Sequence, residues 1–250
     1  MSSSNLDSFV HGSHPPHTSV FTSQEIRDRG SAFIGNIYRA NTPEDAKSIV
    51  QYHKLVVHSG KPAYEICAWR CMVLKHGKTG LSGPDDFELK TGFNDDGEQW
   101  AGSKILKVMQ TESVLDAVVI VSRWFGGTLL GPARFTHIET CAREICRKFK
   151  RQEEMEECVT TLTSLDDILA TLRDELKGLS ANGVPDPNLA PATSTSPKSS
   201  NVDIIEKPNR KPDYSCLQRD LDLTKAKRLV NARESAIRSV KALIAKKTAL

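Results

Sequence analysis

The sequence predicts an α+β domain, a two-layer sandwich on a mixed four-stranded sheet, followed by a helical C-terminal extension. Three observations carry that prediction. Val118-Val119-Ile120-Val121 is an unbroken apolar, β-branched run, the pattern of a strand buried on both faces. Gly126, Gly127 and Gly131 break it, and Pro132 opens a helix where its missing N–H is harmless. Beyond residue 150 the apolar period changes to that of a heptad.

In chain order, residues 1–18 are Ser, Gly, His and Pro-rich and read as a disordered polar tail. His11, His14 and His17 fall three apart, but Pro15-Pro16 prevents the helix that would align them on a metal. Ser31–Tyr38 reads as a strand. Thr42-Pro43-Glu44-Asp45 is a helix start: a hydroxyl cap, proline at the first position, acids in the first turn. Ala46, Ile49, Val50, His53 and Val57 make one face of that helix, with His53 at its edge and His58 at its end. Ala63–Leu74 reads as a second strand, Lys75–Pro84 as a turn-rich loop and Phe87–Phe93 as a third strand. A helix follows over Trp100–Gln110, with Ile105, Val108 and Met109 facing inward. After the strand at Val118, the stripe Phe135, Ile138, Ala142, Ile145 and Phe149 closes a β-α-β-β-α-β-α order with helices on one face of the sheet. The domain spans residues 19–151.

Two stretches carry candidate chemistry. Asp95, Asp96 and Glu98 put three carboxylates within four positions, a pattern that suits a divalent metal, an acid–base pair, or a helix cap plus a partner for Arg123. No histidine, serine or cysteine stands at a spacing that completes a catalytic set, so neither an enzyme nor a cofactor is expected. The glycine loop between Arg123 and Arg134 reads either as a binding loop for an anion or as a tight strand-to-helix turn with two solvated arginines.

Bulk properties narrow the classes. Hydrophobic residues make up 38% of the chain. The mean hydropathy is −0.38 and no apolar run reaches membrane-spanning length. The Met1–Asp7 start lacks the basic and apolar regions of a secretory signal. The six cysteines form no CxxC pair, so no metal site is expected, and they read as free thiols of a reducing, cytoplasmic compartment.

The C-terminal charge is divided. Residues 152–178 carry eight acidic and two basic groups, and residues 207–250 carry twelve basic and four acidic ones. Met155, Cys158, Leu162, Leu165, Leu169, Leu172, Leu176 and Leu179 make a coiled-coil-type seam along an acidic helix, 152–179, with a fresh cap at Ser164. Residues 180–214 read as a disordered Pro/Ser linker, and 215–248 as a basic helix whose apolar face is interrupted by Arg233. The two helices are expected to pair, within one chain or between two. The rival reading has the basic helix bind RNA, an acidic membrane surface or a ribosomal protein. Base stacking has no support, because residues 217–250 hold no aromatic.

Asp95-Asp96-Gly97-Glu98…Ala101-Gly102, combined with Val121-Ser122-Arg123-Trp124-Phe125-Gly126-Gly127…Leu130-Gly131-Pro132…Arg134-Phe135, resembles the Impact family. Ser31-Ala32-Phe33 and Ala63-Tyr64-Glu65-Ile66-Cys67-Ala68-Trp69-Arg70 also match, with Tyr64 standing where family members usually carry histidine. The resemblance covers about residues 20–150, the domain shared with small bacterial proteins of this type. It implies a fold like domain 2 of ribosomal protein S-five. It also implies one functional surface: Asp95, Asp96, Gly97 and Glu98 beside Arg123, Trp124, Gly126, Gly127 and Arg134. Eukaryotic members regulate translation by competing for a ribosome-associated activator of the amino-acid-starvation kinase that phosphorylates initiation factor 2 alpha, and they associate with actin. Those members carry an extra N-terminal interaction domain, where this sequence has the polar residues 1–18. The expectation is a non-enzymatic, cytoplasmic regulator of translation that binds protein. The alternative is an RNA- or ribosome-binding module that uses the glycine loop and the basic helix.

Overall fold

In the computed structural model, which describes residues 18–61, 63–181 and 212–248, the chain divides into two compact units, 1–150 and 151–250. The first contains β1 (Phe21–Thr22), β2 (Ile26–Asp28), β3 (Ser31–Arg39), α1 (Pro43–Tyr52), a π-helical turn (His53–Val57) and β4 (Tyr64–Leu74). It continues with β5 (Phe87–Asn94), α2 (Ala101–Thr111), β6 (Ala117–Trp124) and the first part of α3 (Ala133–Ala181).

The β6 run takes the centre of the sheet, and every residue from Ala117 to Arg123 is buried. The strand order is β1-β3-β6-β4-β5, with β2 also paired to β3. All five pairings are antiparallel, so the expected mixed sheet of four strands is instead an antiparallel sheet of six. The physical reason is insertion. β3 and β4 do run parallel, joined by the α1 crossover, but β6 enters between them and takes the hydrogen bonds of both. The two additional strands are two and three residues long, too short to show a period.

Alternation along β6 sends its side chains to two faces. Val119 and Val121 join Phe33, Ile37, Ile66, Ala68, Ile105, Met109, Ile138, Ile145 and Phe149 under α2 and α3. Val118 and Ile120 join Tyr38, Ala46, Ile49, Cys67 and Cys71 under α1. Helices therefore cover both faces, not one as the single-face sandwich required. The sequence alone hides this, because a strand buried on both faces looks the same whichever helix covers each side. The α1 start is as the sequence predicts: the Asp45 N–H donates to Thr42 Oγ1 at 3.0 Å, a cap worth about 1 kcal/mol.

The second unit consists of residues 151–181 of α3, with α4 (Ser215–Asp220) and α5 (Leu223–Thr248). Met155 and Leu162 of the acidic segment are buried with Leu217 and Ala226 of the basic one, flanked by Leu229 and Val230. α3 does not restart at Ser164: the Ser164 hydroxyl donates to the Thr160 carbonyl four residues back, inside one continuous helix. The basic helix is broken where none was expected. Leu221 adopts φ 48°, and Asp222 Oδ1 caps the new helix by accepting from Lys225 N at 3.0 Å.

The predicted tail up to His17 and the linker residues 182–211 lie outside the described residues. Among the described residues no helix is long and apolar enough to cross a membrane.

Candidate functional site

The acidic turn after β5 and the end of β6 meet. Glu98 Oε1 pairs with Arg123 Nη1 and Glu98 Oε2 lies 3.0 Å from Arg134 Nε. Glu98 and Arg123 are buried, at 6% and 5% exposure, so this clasp is interior rather than displayed. The Arg123 guanidinium also lies 5.6 Å from the ring centroids of Phe33 and Phe125, within cation–π range of each. The Nε–H groups of Arg123 and Arg134 are buried without an aligned acceptor.

The other acids in the turn have separate tasks. Asp95 accepts from the N–H groups of Trp100 (2.9 Å) and Gly102 (2.7 Å) and caps α2. A Cβ on Gly102 would sit 3.0 Å from Asp95 Oδ1, which explains a glycine inside the helix. Asp96 faces away from α2. It accepts from the Glu65 N–H at 2.8 Å and from Lys54 Nζ at 2.9 Å, tying the turn to β4 and the π turn. Gly97 carries the turn at φ 95°. Of the three carboxylates, one caps a helix, one anchors a strand and one holds two arginines. The reading as cap plus arginine partner fits this geometry.

Arg123 and Arg134 are clasped, not solvated as one reading of the loop had them. Gly126 N donates to Ser31 Oγ at 3.1 Å, and the loop lies so close to Gly30 that a Cβ on Gly126 would fall 1.9 Å from the Gly30 carbonyl carbon. Gly127 is exposed at φ 84°. Trp124 Nε1 donates to the Lys61 carbonyl at 3.1 Å. Phe125 is 49% exposed and Leu129 is 82% exposed. Beside them a hollow of about 400 Å³ is lined by Arg27, Arg29, Lys61, Trp124 and Phe125, among others. Arg27 and Arg29 pair there with Glu25 and Asp28.

Sequence reasoning missed a second polar cluster, on the α1 side of the sheet. His53, expected at a helix edge, is fully buried, as is Ser122, and Glu65 is 2% exposed. The Ser122 hydroxyl donates to Glu65 Oε2 at 2.5 Å and lies 3.2 Å from His53 Nε2. His53 Nδ1 is 2.7 Å from the Tyr38 hydroxyl, and His58 Nδ1 is 2.6 Å from Glu65 Oε1. Burial pushes the His53 imidazole down to about 4 and the Tyr38 phenol up to about 12, so both are neutral near neutral pH. The signal was present: His53 sits on the apolar stripe of α1, Ser122 interrupts a β-branched run, and Glu65 falls on a buried strand face. Three polar groups on buried faces need one another.

The fold and site define a class, an antiparallel α+β domain whose glycine-rich loop is clasped to an acidic turn by a buried carboxylate. Residues 29–146 match the Impact N-terminal domain, and this domain belongs to the Impact family. An IMPACT family member of Schizosaccharomyces pombe is 32% identical over 151 residues, covering 58% of this chain and 44% of that protein. Human Protein IMPACT is 55% identical over 122 residues, covering 48% of this chain and 34% of its own length. A solved structure of Yih1, described as a two-domain translational regulator, shares 32% identity and covers 52% of this chain and 48% of that one, with a TM-score of 0.33. The chain thus spans less than half the length of each of these relatives.

Proposed function

We propose that this chain is a non-enzymatic regulator of translation that acts by binding protein in the cytoplasm. Its partner would be the ribosome-associated activator of the amino-acid-starvation kinase upstream of initiation factor 2 alpha phosphorylation. The observation that carries this reading is the Impact N-terminal domain at 29–146 with its clasped acidic turn and glycine loop. The geometry assigns the proposed binding residues two roles. Asp95, Asp96, Glu98, Arg123 and Arg134 hold the loops, and Gly97, Trp124, Gly126 and Gly127 shape them. Contact would come from the side chains that remain outside, Leu129 and Phe125, the latter at the wall of the hollow.

The test is affinity capture of the tagged full chain from starved and fed cells, with and without nuclease. The expected result is nuclease-resistant recovery of the kinase activator, lost in Phe125→Asp and Leu129→Asp variants that keep the wild-type melting temperature. Recovery of nuclease-sensitive ribosomes alone, with affinity falling steeply as salt rises, would replace this reading by the RNA-binding one. Recovery of actin in place of the activator would move the role to the cytoskeleton.

A further inference from the structure

We propose that His53, His58 and Glu65 form a binding site for one zinc-class divalent transition-metal ion. The site lies on the α1 side of the sheet and goes beyond the proposed regulatory role.

The placement begins with the backbone. Residues five apart on an α-helix point about 140° apart around its axis, so His53 and His58 would face different ways. Here the chain widens into a π turn at His53–Val57, closed by the His58 N–H donating to the His53 carbonyl at 3.1 Å. The wider turn swings both imidazoles to one side, with ring centroids 4.5 Å apart and planes at 76°. Single π turns of this kind recur at functional sites. β4 then presents Glu65 between them, and one donor atom from each of the three residues lies within 4.8 Å of the others. Bonds of about 2.0 Å in a tetrahedral site separate ligand atoms by about 3.3 Å, so small rotations of His58 and Glu65 admit an ion.

The outer contacts are those a metal site needs. A ligating imidazole is oriented through its other nitrogen, and His53 Nδ1 meets the Tyr38 hydroxyl at 2.7 Å. A ligating carboxylate is fixed by a donor, and Glu65 Oε2 accepts from Ser122 Oγ. His58 is the member nearest solvent, and with Glu65 it lines a cavity of about 210 Å³ that also touches Lys54, Leu55, Ser59 and Ala63. That cavity supplies an entry path and room for water as a fourth ligand. Two imidazoles and one carboxylate select zinc-class ions over magnesium or calcium, which take oxygen ligands. The set is not legible in the sequence, because the five-residue histidine spacing becomes ligand-like only on a π turn.

The test is titration of chelator-treated full-length protein with Co²⁺, followed by Zn²⁺. The proposal expects a visible tetrahedral Co²⁺ band saturating at one ion per chain, displaced by Zn²⁺, and a Zn²⁺-dependent rise in melting temperature reversed by chelator. His58→Ala and Glu65→Gln should abolish the band, and Tyr38→Phe should weaken binding about tenfold while the circular dichroism spectrum stays native. Replacing His11, His14 and His17 together by alanine should leave the band intact. No band in the wild type, a band that survives His58→Ala and Glu65→Gln, or a band lost only with the three tail histidines would each overturn the site.

Discussion

The Glu98 carboxylate lies against the Arg123 guanidinium inside the domain, with both residues at most 6% exposed. The clasp joins the turn that opens α2 to the last turn-facing residue of β6 on that side of the sheet. The next residue back, Ser122, points to the opposite face and enters the histidine cluster. One strand end therefore organises two polar sites on two faces, through alternation alone.

Removing the carboxylate while keeping the arginine strands a buried positive charge. Glu98→Gln is expected to destabilise the domain by about 3–5 kcal/mol, the usual cost of breaking a buried pair from one side. Arg134→Ala removes a partner whose side chain is 29% exposed and is expected to cost about 1 kcal/mol or less. Urea unfolding of the two variants measures this. Equal, small losses would mean that water reaches Arg123 and that the clasp is ornamental.

Gly126 and Gly127 are expected to fail for different reasons. Gly126→Ala drives a methyl into the Gly30 backbone, at 1.9 Å from its carbonyl carbon, and the loop must move away from β3. Gly127→Ala meets no neighbouring atom and suffers only its φ of 84°, a penalty of about 1–2 kcal/mol. Thermal melts should rank Gly126→Ala as the more damaging, with a loss above about 3 kcal/mol. The reverse ranking would show that the loop is not seated on Gly30.

The thiols supply a third expectation. Cys67, Cys71, Cys141 and Cys146 are buried, and burial pushes the Cys67 and Cys146 thiols up to about 12 and Cys71 up to about 11. The thiolate is the reacting species, so these four should resist alkylation at neutral pH until the domain unfolds. Cys216 is exposed and should react first. Mass-spectrometric counting of modified thiols over time reads this directly. Early modification of Cys67 or Cys146 would contradict the packing of the sheet.

How far the sequence led depends on whether a feature was local. The strand at Val118–Val121, the Thr42 cap and the meeting of Asp95–Glu98 with Arg123 follow from local patterns plus two linked motifs. The sheet order did not, because nothing in a single strand's residues says that β6 will enter between β3 and β4. Nor did the histidine cluster, whose geometry rests on a π turn that no residue period announces. The tasks of the acidic turn were legible in kind, a cap plus an arginine partner. The exposure of Phe125 and Leu129 was not, since an aromatic after a buried strand reads equally well as core.

Arg233 interrupts the apolar face of the basic helix, and its partner explains why it is there. Its guanidinium Nε bonds Asp166 Oδ1, and Asp166 also accepts from the Tyr214 hydroxyl, so one carboxylate of the acidic helix gathers two residues of the basic segment. That hydrogen bond holds the Arg233 guanidinium above its usual range. Lys227 adds an outer contact to Glu154 at 3.2 Å, which is exposed and worth little. The Asp166 clasp is therefore expected to fix the register of the two helices, with Met155, Leu162, Leu217 and Ala226 supplying the apolar contact. A double-mutant cycle of Asp166→Asn and Arg233→Gln, read by hydrogen exchange over Leu223–Thr248, should return a coupling of about 1 kcal/mol. Strictly additive losses would mean that the two residues do not share a bond in solution. The acidic and basic segments would then be held together by their apolar faces alone.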